Sequence, residues 1–220
     1  MPQHKARRDD QQSKRSGAEQ RDVPKAILDA TEQLLAHQRF DELSVADILS
    51  AAQVSRASFY FYFESKYVVL GELVRRVVQQ AQAAAGPWVE EDAEPPEHTL
   101  RQGTSQGLQL WIKHAPVLRA IVEHWRSNEK LAALWTEMMD GFTQAAMHRI
   151  ERDRAAGRAP RTSVDASTLA STLTWMSERI YYLAAIGHPA FRDEQQVIDA
   201  LTEVWLSVIY SGPPPQKKSD

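Results

Sequence analysis

Leu43–Lys66 reads LSVADILSAAQVSRASFYFYFESK, a pattern that predicts two short helices joined by a tight turn. Ser44 suits the N-cap of the first, with Asp47 three residues on to answer it, a variant of the capping box. Val45, Ile48, Leu49 and Ala52 then make one apolar helical face. At Gln53-Val54-Ser55 the pattern breaks: Val54 can plug the angle between the helices and Ser55 can cap the second. This is helix-turn-helix grammar. Phe59 and Phe63 lie four apart and belong inside, which leaves Arg56, Ala57, Ser58, Tyr60, Phe61 and Tyr62 over the remaining surface. So aromatic an exposed run asks for a partner.

Ser55-Arg56, the run Phe59-Tyr60-Phe61-Tyr62-Phe63 and Ser65-Lys66 together resemble the signature of the TetR family of one-component transcriptional regulators. Further blocks, Glu151-Arg152-Asp153-Arg154, Ala159-Pro160-Arg161 and Met176-Ser177-Glu178-Arg179, resemble its EthR-type branch, the ethionamide-resistance repressors. The resemblance implies DNA contacts on the second helix of the pair. Side-chain chemistry narrows them: Arg56 can pair bidentately with guanine, Ser58 can contact either base type, and Tyr62 can offer a hydroxyl to a phosphate. Lys66, opening the next helix, is placed for a phosphate as well. Ser44, Ser55, Ala57, Tyr60 and Phe61 complete the expected DNA-facing set.

The rest of the chain fits an all-α regulator. Its 220 residues, 43% hydrophobic and 25% charged, can bury a sizeable core. There is no cysteine, so neither a disulfide framework nor a thiolate metal site can form. No apolar run approaches membrane-spanning length, and a cytoplasmic protein without membrane contact is expected. The net charge of −3 is unevenly spread. Residues 1–21 carry a local +3 and read as a disordered basic tail that can track a phosphate backbone or minor groove. Between Asp22 and Lys66, by contrast, seven acids face four bases, a sum of −3 that predicts few phosphate contacts and a shallow salt dependence.

In chain order, Asp22 caps a helix with Pro24 in its first turn and a stripe of Ile27, Ala30, Leu34 and Leu35. Residues 22–66 thus form a three-helix head. Lys66 opens a long helix to about Gly86-Pro87, read as the only connection between the head and the remainder of the chain, and Gly86–Glu97 reads as a loop. From His98 the periodicity is helical throughout. Gly157–Pro160 ends a long helix that begins at Asn128, and residues 212–220 read as a second disordered tail. Residues 67–211 are therefore expected to form a helical ligand-binding and dimerisation domain.

All six tryptophans, Trp88, Trp111, Trp125, Trp135, Trp175 and Trp205, lie after the head. Large rings beside methionines leave apolar cavities, and Gly103 and Gly107, four apart, open space on one helix face. Thr174, Ser177, Glu178 and Tyr182 add a polar strip, and an apolar cavity with a few polar groups is what small-molecule sites look like. The EthR-type resemblance implies a tunnel for a hydrophobic ligand, lined here by Trp111, Trp135, Met139, Phe142, Ser177, Glu178, Tyr182 and Trp205. Leu100 and Gly107 stand where that branch has aromatic bulk. The same resemblance, with the wide apolar faces of the last two helices, implies a homodimer paired through a four-helix bundle, its seam read as Leu173, Ile180, Val204 and Val208.

Enzymatic signals are thin: there is no HExxH, P-loop, GxSxG or dinucleotide fingerprint. His114, His124 and His148 stand singly, Asp153 among its arginines reads as a solvated helix face, and no cofactor is expected. The expected function is repression of a palindromic operator by a homodimer, relieved by a hydrophobic small molecule. An all-α carrier or enzyme would need the cavity without the Ser44–Lys66 block. A constitutive DNA-binding protein would need the block without the cavity.

Overall fold

The computed structural model describes the backbone of residues 22–90 and 95–211, and the side chains of 22–79 and 95–211. The two tails, the basic arm among them, and the side chain of Trp88 lie outside the described residues. Asp22 caps helix α1, Val23–Leu35, by accepting the backbone N–H of Lys25 at 3.1 Å, and Pro24 sits in the first turn where no N–H is missed. Helix α2, Val45–Ala52, opens on a complete capping box: Asp47 N donates to Ser44 Oγ at 3.2 Å and Ser44 N to Asp47 Oδ2 at 2.9 Å. The turn passes through Gln53, a non-glycine residue at φ 54°, and delivers α3, Arg56–Tyr62, capped by Ser55 Oγ. Phe59 and Phe63 are buried with Ile27, Leu35, Phe40, Leu43 and Ile48, while Val54 packs on the edge of that cluster. Truncating a core phenylalanine such as Phe59 costs about 3–5 kcal/mol, so the aromatic pair fixes how the outer face of α3 is presented.

Helix α4, Lys66–Glu90, runs straight through Gly86-Pro87, where the sequence suggested a stop. Proline removes one backbone donor, to the carbonyl of Ala83, and the helix continues past it. The helical body comprises α5 (Pro96–Lys113), α6 (Ala115–His124), α7 (Glu129–Ala155), α8 (Ala166–Ala185) and α9 (Glu194–Tyr210). Nor is α4 the only link to the head. Helix α6 packs against α1, and one continuous apolar cluster runs from Ile27 and Phe59 through Leu70 and Val74 to Trp135 and Met139.

Helix α7 ends in a Schellman turn: Gly157 takes φ 72°, Arg158 N donates to Asp153 O at 2.9 Å and Gly157 N to Arg154 O at 3.3 Å. Asp153 itself is not on a solvated face. It is 0% exposed, because α9 and the post-helix turn close over it. Among the described residues there is no strand, no helix long and apolar enough to cross a membrane, and no cluster of ligands fit for a metal ion.

Candidate DNA-reading surface and ligand cavity

Phe61, the most exposed ring of the head, is 80% accessible, and Tyr60 and Tyr62 flank it in the open. Arg56 and Ala57, at the start of the same helix, are exposed, and Arg56 forms no ion pair or hydrogen bond with other described residues. The hydroxyls of Ser44 and Ser55 are engaged as caps. Ser58 is half-buried with its hydroxyl 2.8 Å from that of Ser55, so it buttresses the cap rather than standing free as a base reader. The exposed candidates for DNA contact are therefore Arg56, Ala57, Tyr60, Phe61 and Tyr62, with Phe61 and Tyr62 packed edge to face at 4.9 Å.

The acidic balance of the head has a spatial cause. Asp29 lies 3.6 Å from Arg76, Glu32 lies 3.6 Å from His114, Asp41 lies 3.9 Å from His124, and Glu64 pairs with Lys130. Four of the seven head acids thus face basic groups of α4, α7 and the two ends of α6. Part of the head's negative charge thus sits at the head–body junction.

Lys66 corrects a sequence expectation. Its ammonium donates to the carbonyls of Phe40 (2.8 Å), Asp41 (3.2 Å) and Leu43 (2.7 Å) and lies 4.8 Å from the centre of the Phe40 ring. An ammonium has three donors, and all are engaged by the α1–α2 connection. Burial pushes its pKa down, with Asp41 working the other way. Lys66 clamps α4 to the head; the phosphate reading of this side chain is not supported. Lys66→Met keeps the stem and loses the donors, and is expected to lower unfolding stability by about 1.5–3 kcal/mol, toward the lower figure because the site is only half-buried. Denaturant midpoints of the free protein test this. An unchanged midpoint with a salt slope flatter by about one would instead return the ammonium to a phosphate.

Between α4, α5, α6, α7, α8 and α9 lies a cavity of about 200 Å³. Eleven of the twelve sequence candidates line it: Leu100, Gly103 and Gly107 with Trp111 from α5, Trp135, Met139 and Phe142 from α7, Thr174, Ser177 and Glu178 from α8, and Trp205 from α9. Sequence reasoning missed Val77 and Val78, which bring α4 into the wall, and Met138 and Leu118.

Tyr182 is the exception. Its hydroxyl donates to Glu123 at 3.1 Å and Arg179 lies over its ring, both on the outer side of α8. Tyr181 takes the cavity position, its hydroxyl donating to Thr104 O at 3.3 Å, with burial pushing its pKa up. Helical geometry could have found it: at roughly 100° per residue, position 181 falls about 20° from position 174, whereas 182 falls about 80° away. The glycines also differ. Nothing lies within 4 Å of a Cβ built on Gly103, whereas one on Gly107 would meet Tyr181 Oη at 3.0 Å.

The outer faces of α8 and α9 carry the remaining apolar surface. Val204 and Val208 are exposed, as are Trp175 and Ile186. Leu173 is not available for a seam: it is 2% exposed within its own chain, among Leu100, Ile150 and Ile209. Ile180 likewise leans on Leu108, Val197 and Leu201. The outward stripe of α8 lies instead along Thr168, Thr172, Trp175, Arg179 and Ile186, all exposed.

A helix-turn-helix head sharing a core with a cavity-bearing helical body defines a one-component transcriptional regulator. Residues 27–73 match the family described as bacterial regulatory proteins, tetR family, and residues 100–211 match the C-terminal domain of the transcriptional regulator EthR. The HTH-type transcriptional regulator EthR of Mycobacterium tuberculosis H37Rv is 34% identical over 186 residues, 84% of this chain and 86% of that protein. The regulator of that name from Mycolicibacterium smegmatis is 31% identical over 84% of this chain and 85% of its own length. The chain belongs to the TetR family, with an EthR-type C-terminal domain. Solved structures share the fold at lower identity: a transcriptional regulator from Rhodococcus sp. Rha1 (TM-score 0.67, 19% identical, 86% of this chain and 99% of that one) and a Saccharomonospora viridis regulator in complex with choline (0.66, 19%, 86% and 98%).

Proposed function

We propose that this regulator is a homodimeric repressor that binds a palindromic operator through α3 and is released when a hydrophobic molecule fills the cavity. The observation that carries the reading is the double role of α4. Val77 and Val78 form part of the cavity wall, and Lys66 at the start of the same helix holds the head by three carbonyls. The distance along the axis is about 17 Å, within one rigid helix. A ligand that presses on Val77 and Val78 therefore moves the head with the helix, and α6, through Leu118, supplies a second path. The choline complex of the Saccharomonospora viridis regulator supports a small-molecule site in this fold. The family resemblance supports the dimer, and the exposed Trp175, Ile186, Val204 and Val208 supply its surface.

A ligand can shift operator affinity only by its differential affinity for the two states; a coupling of about 1–3 kcal/mol changes it roughly 5- to 150-fold, and operator must weaken ligand binding by the same factor. Calorimetry with an apolar ligand, with and without operator, tests this reciprocity. Gly103→Phe, which places a ring in open space, is expected to leave operator binding intact and abolish its ligand response. A ligand whose affinity is indifferent to operator overturns the reading. For assembly, Val204→Glu with Val208→Glu is expected to yield monomers by sedimentation and to lose operator binding. A dimer that survives both charges places the interface elsewhere.

A further inference from the structure

The cavity has one electrostatic sign. Among the described residues that line it, Glu178 is the one formally charged side chain, and no lysine, arginine or histidine joins it. The other polar groups are Thr104, Thr174, Ser177, Tyr181 and the indoles of Trp111, Trp135 and Trp205; Tyr181 Oη donates to Thr104 O and Trp205 Nε1 to Ser177 Oγ at 2.9 Å, and none of them donates to Glu178. Glu178 is 5% exposed and accepts no hydrogen bond from the described residues. Its one ionic contact among the described residues is Arg179 Nε at 3.9 Å, and that guanidinium is mostly exposed and rests over Tyr182 on the outer side of the helix.

Holding a carboxylate in a mostly apolar cavity with no hydrogen bond donated to it is costly, and the cost is offset by neutralising it or bringing it a cation. We infer that the effector is an apolar molecule bearing a cationic nitrogen, a protonated amine or quaternary ammonium, that pairs with Glu178. The inference rests on the reading of this cavity as the effector site. A carboxylate-bearing ligand such as a fatty acid meets like charge and no compensating cation there. A neutral alcohol can donate one hydrogen bond to Glu178 but leaves its charge uncompensated, and burial raising the Glu178 pKa shows the environment that a bound cation would relieve.

The experiment titrates full-length protein with octylamine, 1-octanol and octanoate, which share a chain and differ in the end group, and reads affinity by calorimetry. Octylamine is expected to bind about tenfold or more tighter than octanol, with octanoate weakest. In Glu178→Gln the amine preference is expected to vanish while octanol affinity stays within about threefold, which also reports that the variant is folded. Octanol binding as tightly as octylamine to the wild type, or an amine preference that persists in Glu178→Gln, overturns the proposal and leaves the cavity reading standing. Affinities unaffected by Gly103→Phe, or no binding by any of the three, overturn both.

Discussion

Replacing Arg56 and Tyr62 together by alanine is expected to cost operator affinity by about 30-fold to 10⁴-fold while leaving the protein as stable as before. Each good bidentate base contact is worth roughly 1–3 kcal/mol of discrimination, and a symmetric dimer makes it twice, so one substitution acts at both half-sites, about 2–6 kcal/mol in total. Stability is spared because neither side chain holds the head together. Arg56 has no partner among the described residues, and Tyr62 is an exposed side chain packed edge to face with the exposed Phe61. The single substitutions should separate the roles. Arg56→Ala relaxes discrimination among operator variants, whereas Tyr62→Phe, which deletes one hydroxyl, weakens all sequences evenly. Fluorescence anisotropy on a palindrome with half-sites about 34–36 Å apart measures both. Undiminished binding by the double variant removes α3 as the reader.

Helices α2 and α3 were legible because their determinants are local. Ser44 with Asp47 and Ser55 with Ser58 lie three residues apart, and Phe59 with Phe63 lie four apart, so caps and buried face are written within one short segment. The cavity was legible almost as well, since its tryptophans and polar strip follow helical periods. What failed was what depends on a partner far along the chain. The acceptors of Lys66 lie 23 to 26 residues upstream in sequence and are backbone carbonyls, which no side-chain pattern announces. Leu173 and Val204 are equally apolar in sequence, yet α5 and α7 cover one and leave the other exposed. Tyr181 is a miss of another kind, since the helical angle from Thr174 already favours it over Tyr182. The placement of charge was equally hidden: Asp29 and Glu64 of the head lie beside Arg76 and Lys130, and only the fold shows those neighbours.

Asp153→Ala is expected to be the most destabilising single substitution in the body, costing about 3–5 kcal/mol of a total that for most domains is about 5–15 kcal/mol. The carboxylate is fully buried and accepts four hydrogen bonds: from Arg149 Nε at 2.8 Å and Tyr210 Oη at 2.6 Å on one oxygen, and from Arg158 Nε at 2.9 Å and Nη2 at 2.5 Å on the other. Alanine leaves the guanidinium of Arg149, 2% exposed, without that carboxylate. Tyr210→Phe removes the hydroxyl that donates to Asp153 and should cost only about 1–2 kcal/mol. Burial acts to raise the Asp153 pKa, but the hydrogen bonds from Arg149, Tyr210 and Arg158 outweigh it and hold the carboxyl below its ordinary value. A depressed pKa contributes stability above the unfolded value, near 4, and loses it as pH falls through the folded value. The stability gap between wild type and Asp153→Asn, followed by urea unfolding, should therefore be constant above about pH 5 and narrow as the pH is lowered below 4. A gap independent of pH would mean that packing, not charge, makes this junction. The consequence reaches the oligomer, because Tyr210 closes α9, whose outer face carries Val204 and Val208. Asp153→Ala should therefore loosen the dimer at concentrations where Tyr210→Phe still sediments as one.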